Sequence, residues 1–250
     1  MYKQGIEVKR ETNLGIVLET PFWFSMIEKL YPNCQRIFYS HSQDEELHIK
    51  TADNSDIAFV ADRGSSMSAT ITERLHIYGA KAIARVGTCG SLSKDVTLWR
   101  PIITTACYSD EGTSKHYLPS GFPIISDVFL NSLLMEALKK SQIRYQTGIT
   151  ITTDGRWRED VDLLKKLNQL GAISIEMDTA AILSVCQFRK IPASAINIPV
   201  DSPADEDNSN NLKGIPSEKN HRKKLERAFS LIMPVVIDTL TNYYLNYLKK

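Results

Sequence analysis

The chain is 250 residues long, with 42% hydrophobic and 24% charged residues, which is an ordinary composition for a folded globular protein. That length allows one large α/β domain with a substantial core, and no linker or repeat divides it, so we expect a single domain over residues 1–250. The formal net charge of +1 gives no electrostatic basis for binding a nucleic acid or a membrane surface, and we expect neither as a partner.

The first part of the chain is dominated by short strands. The pattern of hydrophobic residues predicts strands at 15–18, 36–39, 47–51 and 56–61, helices at 21–30 and 68–78, and an acidic loop at 44–46. Pro21 favours a helix start because its missing N–H is not needed there, and Gly79 is expected to end the second helix.

The next strand carries the most informative stretch of the sequence. Small and apolar residues over 82–86 predict a strand that is buried on both faces, and Gly-Thr-Cys-Gly-Ser at 87–91 predicts a sharp turn after it. Arg85 lies inside the apolar run, where a cation is unfavourable unless an anion or a carboxylate meets it. Two interpretations are open: a site for an anion or a nucleoside at the strand end, or a tight turn with Arg85 in a structural salt bridge.

After that stretch, strands and helices alternate. We predict strands at 102–108, 145–153, 173–176 and 194–200, helices at 128–140, 160–170, 178–189 and 218–247, and polar loops at 109–114 and 201–216. This alternation favours a three-layer α/β/α fold. The early strands, which few helices separate, suggest a central mixed sheet that curls partly into a barrel.

The cysteines and the N-terminus bear on the compartment. Cys34, Cys89, Cys107 and Cys186 are not paired at metal-ligand spacing, so we expect no metal site. The apolar or small neighbours of the last three favour free thiols in a reducing compartment. The N-terminus lacks the long apolar core of a signal peptide, and the longest apolar run, at 231–237, is too short to span a bilayer. We therefore expect a cytoplasmic protein.

Four stretches, in register along the chain, are similar to one known family. They are Arg85 to Leu92, Asp-Glu-Gly-Thr-Ser at 110–114, Ile-Glu-Met-Asp at 175–178, and Asp201 at the end of the last core strand. Together they resemble the nucleoside phosphorylases, a family that includes bacterial hexameric purine nucleoside phosphorylase and uridine phosphorylase. The resemblance covers nearly the whole chain and implies a nucleoside phosphorylase-like fold.

The resemblance also implies a role for each matching residue. Cleavage of an N-glycosidic bond builds positive charge on the sugar and negative charge on the leaving base. The enzyme must therefore hold the sugar and stabilise the departing base. The implied roles are a general acid at Asp201, ribose contacts at Glu176, Met177 and Asp178, phosphate contacts at Arg85 and Thr88, and base contacts at Cys89, Gly90, Arg156, Trp157 and Arg158.

Several of these positions also have a plainer structural interpretation. Glu176 and Asp178 suit a helix start, where acids lie near the positive end of the helix dipole. Asp201 begins Asp-Ser-Pro, a common turn composition. Trp157 either stacks on a base or packs into the core from a surface turn. The sequence does not decide whether Arg156 or Arg158 points inward.

The phosphate site departs from the family pattern. Phosphorylases carry a Gly-Asp-Pro-x-Arg-like loop after the first strand, whereas this chain has Leu-Glu-Thr-Pro-Phe-Trp-Phe at 18–24, in which Glu19 would repel phosphate. The family's second phosphate arginine, lent by a neighbouring subunit, is expected near 41–45, where this chain has none. Arg63 is a candidate replacement. Asp178 replaces a glutamate of the family motif and shortens the reach of the side chain.

The first expectation is an enzyme that cleaves a nucleoside by phosphorolysis, with phosphate as co-substrate and no other cofactor, to give a free base and (deoxy)ribose 1-phosphate. The alternatives are a hydrolytic nucleosidase that uses water and a catalytically silent nucleoside-binding protein. The residues leave the base open, because Asp201 favours a purine while Arg156 and Arg158 favour uracil-like carbonyls. The resemblance further implies a homo-oligomer, a dimer or a hexamer, with pocket residues that cross the interface.

Overall fold

The computed structural model describes residues 10–38, 45–158, 160–203 and 219–249. The strands are β1 (Leu14–Leu18), β2 (Gln35–Phe38), β3 (Glu45–Lys50), β4 (Asp56–Ala61), β5 (Ala82–Ser91), β6 (Ile102–Asp110), β7 (Ile124–Ile125), β8 (Gln146–Thr153), β9 (Ala172–Glu176) and β10 (Ala193–Asp201). The α-helices are α1 (Phe24–Leu30), α2 (Ser65–Ile77), α3 (Val128–Lys140), α4 (Val161–Gln169), α5 (Thr179–Arg189) and α6 (Lys219–Tyr243). Short 3₁₀ turns lie at Pro21–Trp23, Ser114–His116 and Arg156–Arg158.

These strands form one mixed sheet, in the order β10-β6-β8-β9-β5-β1-β4-β3-β2, with β7 beside β6. A further pairing between β10 and β5 closes five strands into a ring, and the remaining strands extend from it as an open sheet. The ring includes both parallel pairs, such as β5 with β10, and antiparallel pairs, such as β5 with β9. The expected mixed, partly barrel-like sheet is therefore confirmed.

Helices cover both faces of the open sheet, which gives the three layers. Along β1, Ile16 and Leu18 lie in the core shared with α1, α3 and α6, whereas Val17 lies in the core shared with α2 and α5. This alternation follows from the two-residue period of a strand. Gly15 permits the close approach of α2, because a Cβ atom at this position would lie 2.6 Å from Leu75 Cδ1.

The sharp turn predicted at 87–91 is wrong, because β5 continues to Ser91. Its second half pairs with β10 as far as Gly90 and with β9 at Gly90 and Ser91, so neighbouring strands satisfy its backbone groups. The acidic loop predicted at 44–46 is wrong for Glu45 and Glu46, which begin β3, and Asp44 lies outside the described residues. Most other predicted elements differ from the observed ones by a few residues at their ends.

The C-terminal helix packs on the sheet and on α3. It runs from Lys219 to Tyr243, continues through Pro234, and is followed by a π-helical turn at Tyr244–Leu248. By length and composition alone, residues 220–248 would suffice to cross a membrane, but 61% of the apolar window is buried inside the structure. Phe229, Met233 and Leu240 are among the buried residues, so core packing accounts for this apolar composition.

A buried charged cluster joins β3, β4 and α2. His48 has no exposed side-chain surface, and its ring nitrogens lie 2.7 Å from Asp56 Oδ1 and 3.4 Å from Glu46 Oε2. Glu46 also accepts a hydrogen bond from Arg74 at 2.7 Å, and Asp56 is paired with Arg10. Burial by itself lowers the pKa of His48, but the hydrogen bonds and charges of Asp56 and Glu46 outweigh burial, so this pKa is raised.

We predict that the free energy of unfolding falls as the pH rises through the raised pKa of His48. The protonated ring stabilises the fold fully below the unfolded pKa of about 6.5, and this contribution is lost as the pH rises through the higher folded value. Urea unfolding between about pH 6 and pH 9 measures the decline. His48→Gln should be less stable at the acidic end and should decline less with pH; an equally steep decline in that variant would contradict the prediction.

Candidate active site

A cleft lies at the carboxyl ends of β1, β5, β9 and β10, beside the N-terminus of α5. Its lining includes Glu19 after β1, Arg85 and Thr88 on β5, and Asp178 before α5. The sheet positions these side chains, because parallel strands β1, β5 and β10 end on the same edge. Open α/β sheets commonly bind ligands at such an edge.

Arg85 is the central charge of the cleft and is only 1% exposed. Its Nη2 lies 2.9 Å from Asp178 Oδ2 and 3.0 Å from Glu176 Oε2, and 3.8 Å from Glu19 Oε2. Its Nη1 donates a hydrogen bond to Asn197 Oδ1 on β10. Burial lowers the pKa of Arg85, but the three carboxylates outweigh it and raise this pKa, so the guanidinium remains charged. Arg85 therefore forms a structural salt bridge, as one of the two interpretations of the sequence has it. The same residue also lines the cleft.

Four donors of the chain itself hold the carboxylate of Glu176 in place. Its carboxylate accepts hydrogen bonds from Thr152 Oγ1 at 2.5 Å, from the Asp178 N–H at 2.8 Å and from the Thr179 N–H at 2.9 Å, besides the contact with Arg85. Burial raises the pKa of Glu176; Arg85 opposes this shift and the charge of Asp178 adds to it. The side chain thus fixes the start of α5 against β8 and β5.

Asp178 has fewer donors and an oxygen that faces the guanidinium. Its Oδ1 accepts hydrogen bonds from the Gly64 N–H at 2.7 Å and from Ser68 Oγ at 3.2 Å, and its Oδ2 meets Arg85. A carboxylate offers about four acceptor positions, so these three donors leave capacity for one more. Glu176 and Asp178 are only 6% and 3% exposed, so both acids lie in the wall of the cleft and do not point into bulk solvent.

Glycines are required at two positions of β5 for space rather than for a turn. A Cβ atom at position 87 would lie 2.7 Å from the guanidinium of Arg85, which crosses directly over Gly87. A Cβ atom at Gly90 would lie 2.7 Å from the Pro203 ring and 2.9 Å from Asp201 Oδ1. Neither glycine has a positive φ.

Glu19 binds the donors that the resemblance assigns to phosphate. Its carboxylate accepts a hydrogen bond from the Thr88 N–H at 2.7 Å and from Thr88 Oγ1 at 2.9 Å. The side chain is 12% exposed and belongs to the cleft lining. A residue of the chain itself therefore makes the contacts expected of a bound anion.

The structure brings most of the other predicted site residues to the same cleft. Cys89 and Gly90 on β5, half-buried Met177, Asp201 and Arg156 all line it. Burial raises the pKa of the Cys89 thiol well above its usual value, so the thiol is neutral.

Trp157 and Arg158 lie outside the cleft lining. The Trp157 side chain is 71% exposed, which also contradicts the alternative that it packs in the core. Arg158 is exposed, so Arg156 is the arginine of this pair that faces the cleft. Exposed Arg63 lines the cleft. Within the stretch 110–114, residues 111–113 connect the end of β6 to the 3₁₀ turn at Ser114–His116, and Glu111 accepts hydrogen bonds from the Thr113 and Ser114 N–H groups.

Sequence reasoning missed the neutral residues that hold the charges. Asn197 bridges Arg85 to Thr104, and Gly64 and Ser68 hold Asp178 from the start of α2. Asn197 carried a usable signal, because it is a polar residue in the otherwise apolar strand Ala193–Asp201. In the described part of the chain, no group of three His, Cys, Asp or Glu residues is arranged to hold a metal ion.

The fold and cleft define an α/β protein with a buried ionic site at the strand ends of a partly closed sheet. Residues 14–236 match the model of the phosphorylase superfamily, and the chain belongs to this superfamily. The resemblance to nucleoside phosphorylases seen in the sequence is thereby confirmed.

Curated relatives and solved structures agree with this assignment. Purine nucleoside phosphorylase DeoD-type from Bacillus thuringiensis (strain Al Hakam) is 30% identical over 121 residues, which are 48% of this chain and 52% of the relative. The match thus spans about half the length of these curated relatives.

Two solved structures show the same fold. Purine nucleoside phosphorylase from Toxoplasma gondii, in complex with immucillin-H, has a TM-score of 0.81 and 21% identity, with 95% of each chain covered. Uridine phosphorylase from Vibrio fischeri ES114, complexed with 6-hydroxy-1-naphthoic acid, has a TM-score of 0.82 and 20% identity, with 95% of this chain and 94% of that chain covered. The similarity confirms the predicted fold class.

We predict that Arg85→Ala lowers the free energy of unfolding by about 3–5 kcal/mol at neutral pH, because it leaves Glu176 and Asp178 buried without their cation. The loss relative to the unmutated chain should shrink toward about pH 5, because burial raises the pKa of Glu176 and its protonation removes an unpaired buried charge. Urea unfolding at both pH values measures the difference. An equal loss at both values, or a loss below about 1 kcal/mol, would show that the ion pairs do not hold the cleft.

Proposed function

We propose that this chain cleaves the N-glycosidic bond of a nucleoside in the cleft around Arg85. The observation that carries the proposal is the convergence of three acids, Glu176, Asp178 and Asp201, with Arg85 at one strand-end cleft. Such cleavage needs groups that hold the sugar and a proton donor for the departing base.

Asp178 is the proposed contact to the sugar hydroxyls. It keeps acceptor capacity on a side chain held at three points, whereas the acceptors of Glu176 are occupied by backbone and side-chain donors. Glu176 is therefore the residue that orients Asp178 and the first turn of α5. Half-buried Met177 lies between them and offers an apolar thioether surface to the sugar face.

Asp201 is the proposed general acid. It ends β10 beside Gly90, and the lack of a side chain at Gly90 leaves the space that its carboxyl occupies. A protonated carboxyl there would donate to a purine nitrogen as negative charge develops on the base. We favour a purine substrate on this ground. Arg156, with its planar donors, is the proposed second contact to the base.

Two molecules are candidates for the acceptor that takes the pentosyl group from the base. Phosphate is the acceptor that the family name and the names of the relatives imply, and Arg85 and Thr88 are the residues that would bind it. Water is the second candidate, and the contacts between Glu19 and Thr88 favour it.

We also propose a homo-oligomer, because large apolar side chains are exposed at Tyr108, Phe122, Ile125 and Phe188. Light scattering after size exclusion should give at least the mass of a dimer. A monomer at micromolar concentration would contradict this prediction.

Nucleoside turnover by the purified chain tests the proposed activity. A panel of purine and pyrimidine nucleosides is assayed for release of free base, with and without phosphate. We expect release from at least one purine nucleoside, and a loss of about 10²- to 10⁴-fold in kcat in Asp201→Asn, because a general acid contributes that range.

Asp162→Asn, an exposed aspartate in the first turn of α4, is the matched control and should keep full activity. Undiminished turnover in Asp201→Asn would exclude Asp201 as the general acid. If the panel shows binding without base release in either buffer, the chain is a silent nucleoside-binding protein.

A further inference from the structure

We propose that the carboxylate of Glu19 permanently occupies the anion position of the cleft, so that the acceptor of the sugar is water and not phosphate. This inference rests on the proposed function, since it names the second substrate of the same cleft.

The donors of the anion position are already used. The Thr88 N–H and hydroxyl, at 2.7 and 2.9 Å, both donate to Glu19. Arg85 uses Nη2 for Glu176 and Asp178 and Nη1 for Asn197. Its remaining nitrogen, Nε, has no hydrogen-bond partner among the described residues but is buried from solvent. A phosphate ion would have to displace Glu19 to gain the hydrogen bonds that its charge requires.

The charge around this position also opposes phosphate. Glu19, Glu176 and Asp178 surround the single buried guanidinium, which gives this inner group a formal net charge of −2. Like charges within a few ångströms repel strongly in a partly desolvated site, and a phosphate dianion would add two more. Arg63 and Arg156 also line the cleft, but Arg63 is exposed and Arg156 half-buried, so solvent screens both more than the inner group.

Water does not need the hydrogen bonds from Thr88 and Arg85 that a phosphate ion would require. In addition, the Glu19 carboxylate can accept the proton that the attacking water loses. The C1′–N bond breaks and its electron pair goes to the base, which takes a proton from the Asp201 carboxyl. The oxygen of water bonds to C1′, and the proton that it loses passes to the Glu19 carboxylate. Solvent then removes the proton from Glu19 and returns one to Asp201. The products are the free base and the free pentose, and no co-reactant beyond water is consumed.

Phosphate binding gives a test that does not depend on turnover. Isothermal titration of inorganic phosphate into the full chain should give no binding tighter than about millimolar. Glu19→Gly, which frees Thr88 and removes one negative charge, should bind phosphate at least tenfold more tightly, while Glu136→Gln on the exposed face of α3 should not. Tight phosphate binding by the unmutated chain, or no tightening in Glu19→Gly, overturns the inference.

Product analysis tests the acceptor. We expect equal rates of base release with and without phosphate, free pentose as the sugar product in both buffers, and a loss of about a hundredfold or more in Glu19→Gln. Cleavage that requires phosphate and yields pentose 1-phosphate overturns this inference but leaves the proposed function intact. An absence of cleavage in both buffers overturns the proposed function and the water acceptor together, and the phosphate titration still decides whether Glu19 excludes phosphate.

Discussion

One buried guanidinium determines the arrangement of the candidate site. Removal of a cation from water is so unfavourable that Arg85 needs several acceptors. These acceptors come from three separate parts of the chain: Glu19 after β1, Glu176 and Asp178 at the junction of β9 and α5, and Asn197 on β10. The ionic group therefore joins elements that are far apart in sequence at the one edge where the cleft opens.

The same group gives unequal roles to two neighbouring acids. Glu176 turns back to accept the N–H groups of Asp178 and Thr179, as an acid near a helix start commonly does. Asp178 instead faces α2 and Arg85 and retains capacity for another donor. The structural interpretation of this acidic motif thus holds for Glu176, whereas the proposed contact to the sugar is assigned to Asp178, which the rigidly held Glu176 supports.

The sequence predicted most elements because their patterns are local. β1, α3 and α5 each show a hydrophobic period that a short window reveals. The error at 87–91 has a physical cause: β5 remains a strand there because β9 and β10 close a ring around it, and this pairing joins residues about a hundred positions apart in the chain. Glycine usually signals a turn, but here it makes room for side chains.

For the site, the sequence identified the charged residues but not their partners. Arg85 was conspicuous as a cation in an apolar run, and Glu19 as an acid at a position where phosphate would need a donor. That these two lie 3.8 Å apart, with Thr88 donating to Glu19, depends on the pairing of β1 with β5, which composition does not encode. The measurement that tests the account most directly is a crystal structure of the chain with a bound purine nucleoside. We expect a sugar hydroxyl within hydrogen-bond distance of Asp178 and the base beside Asp201; a nucleoside bound elsewhere, or a sugar that contacts neither Asp178 nor Glu176, would contradict it.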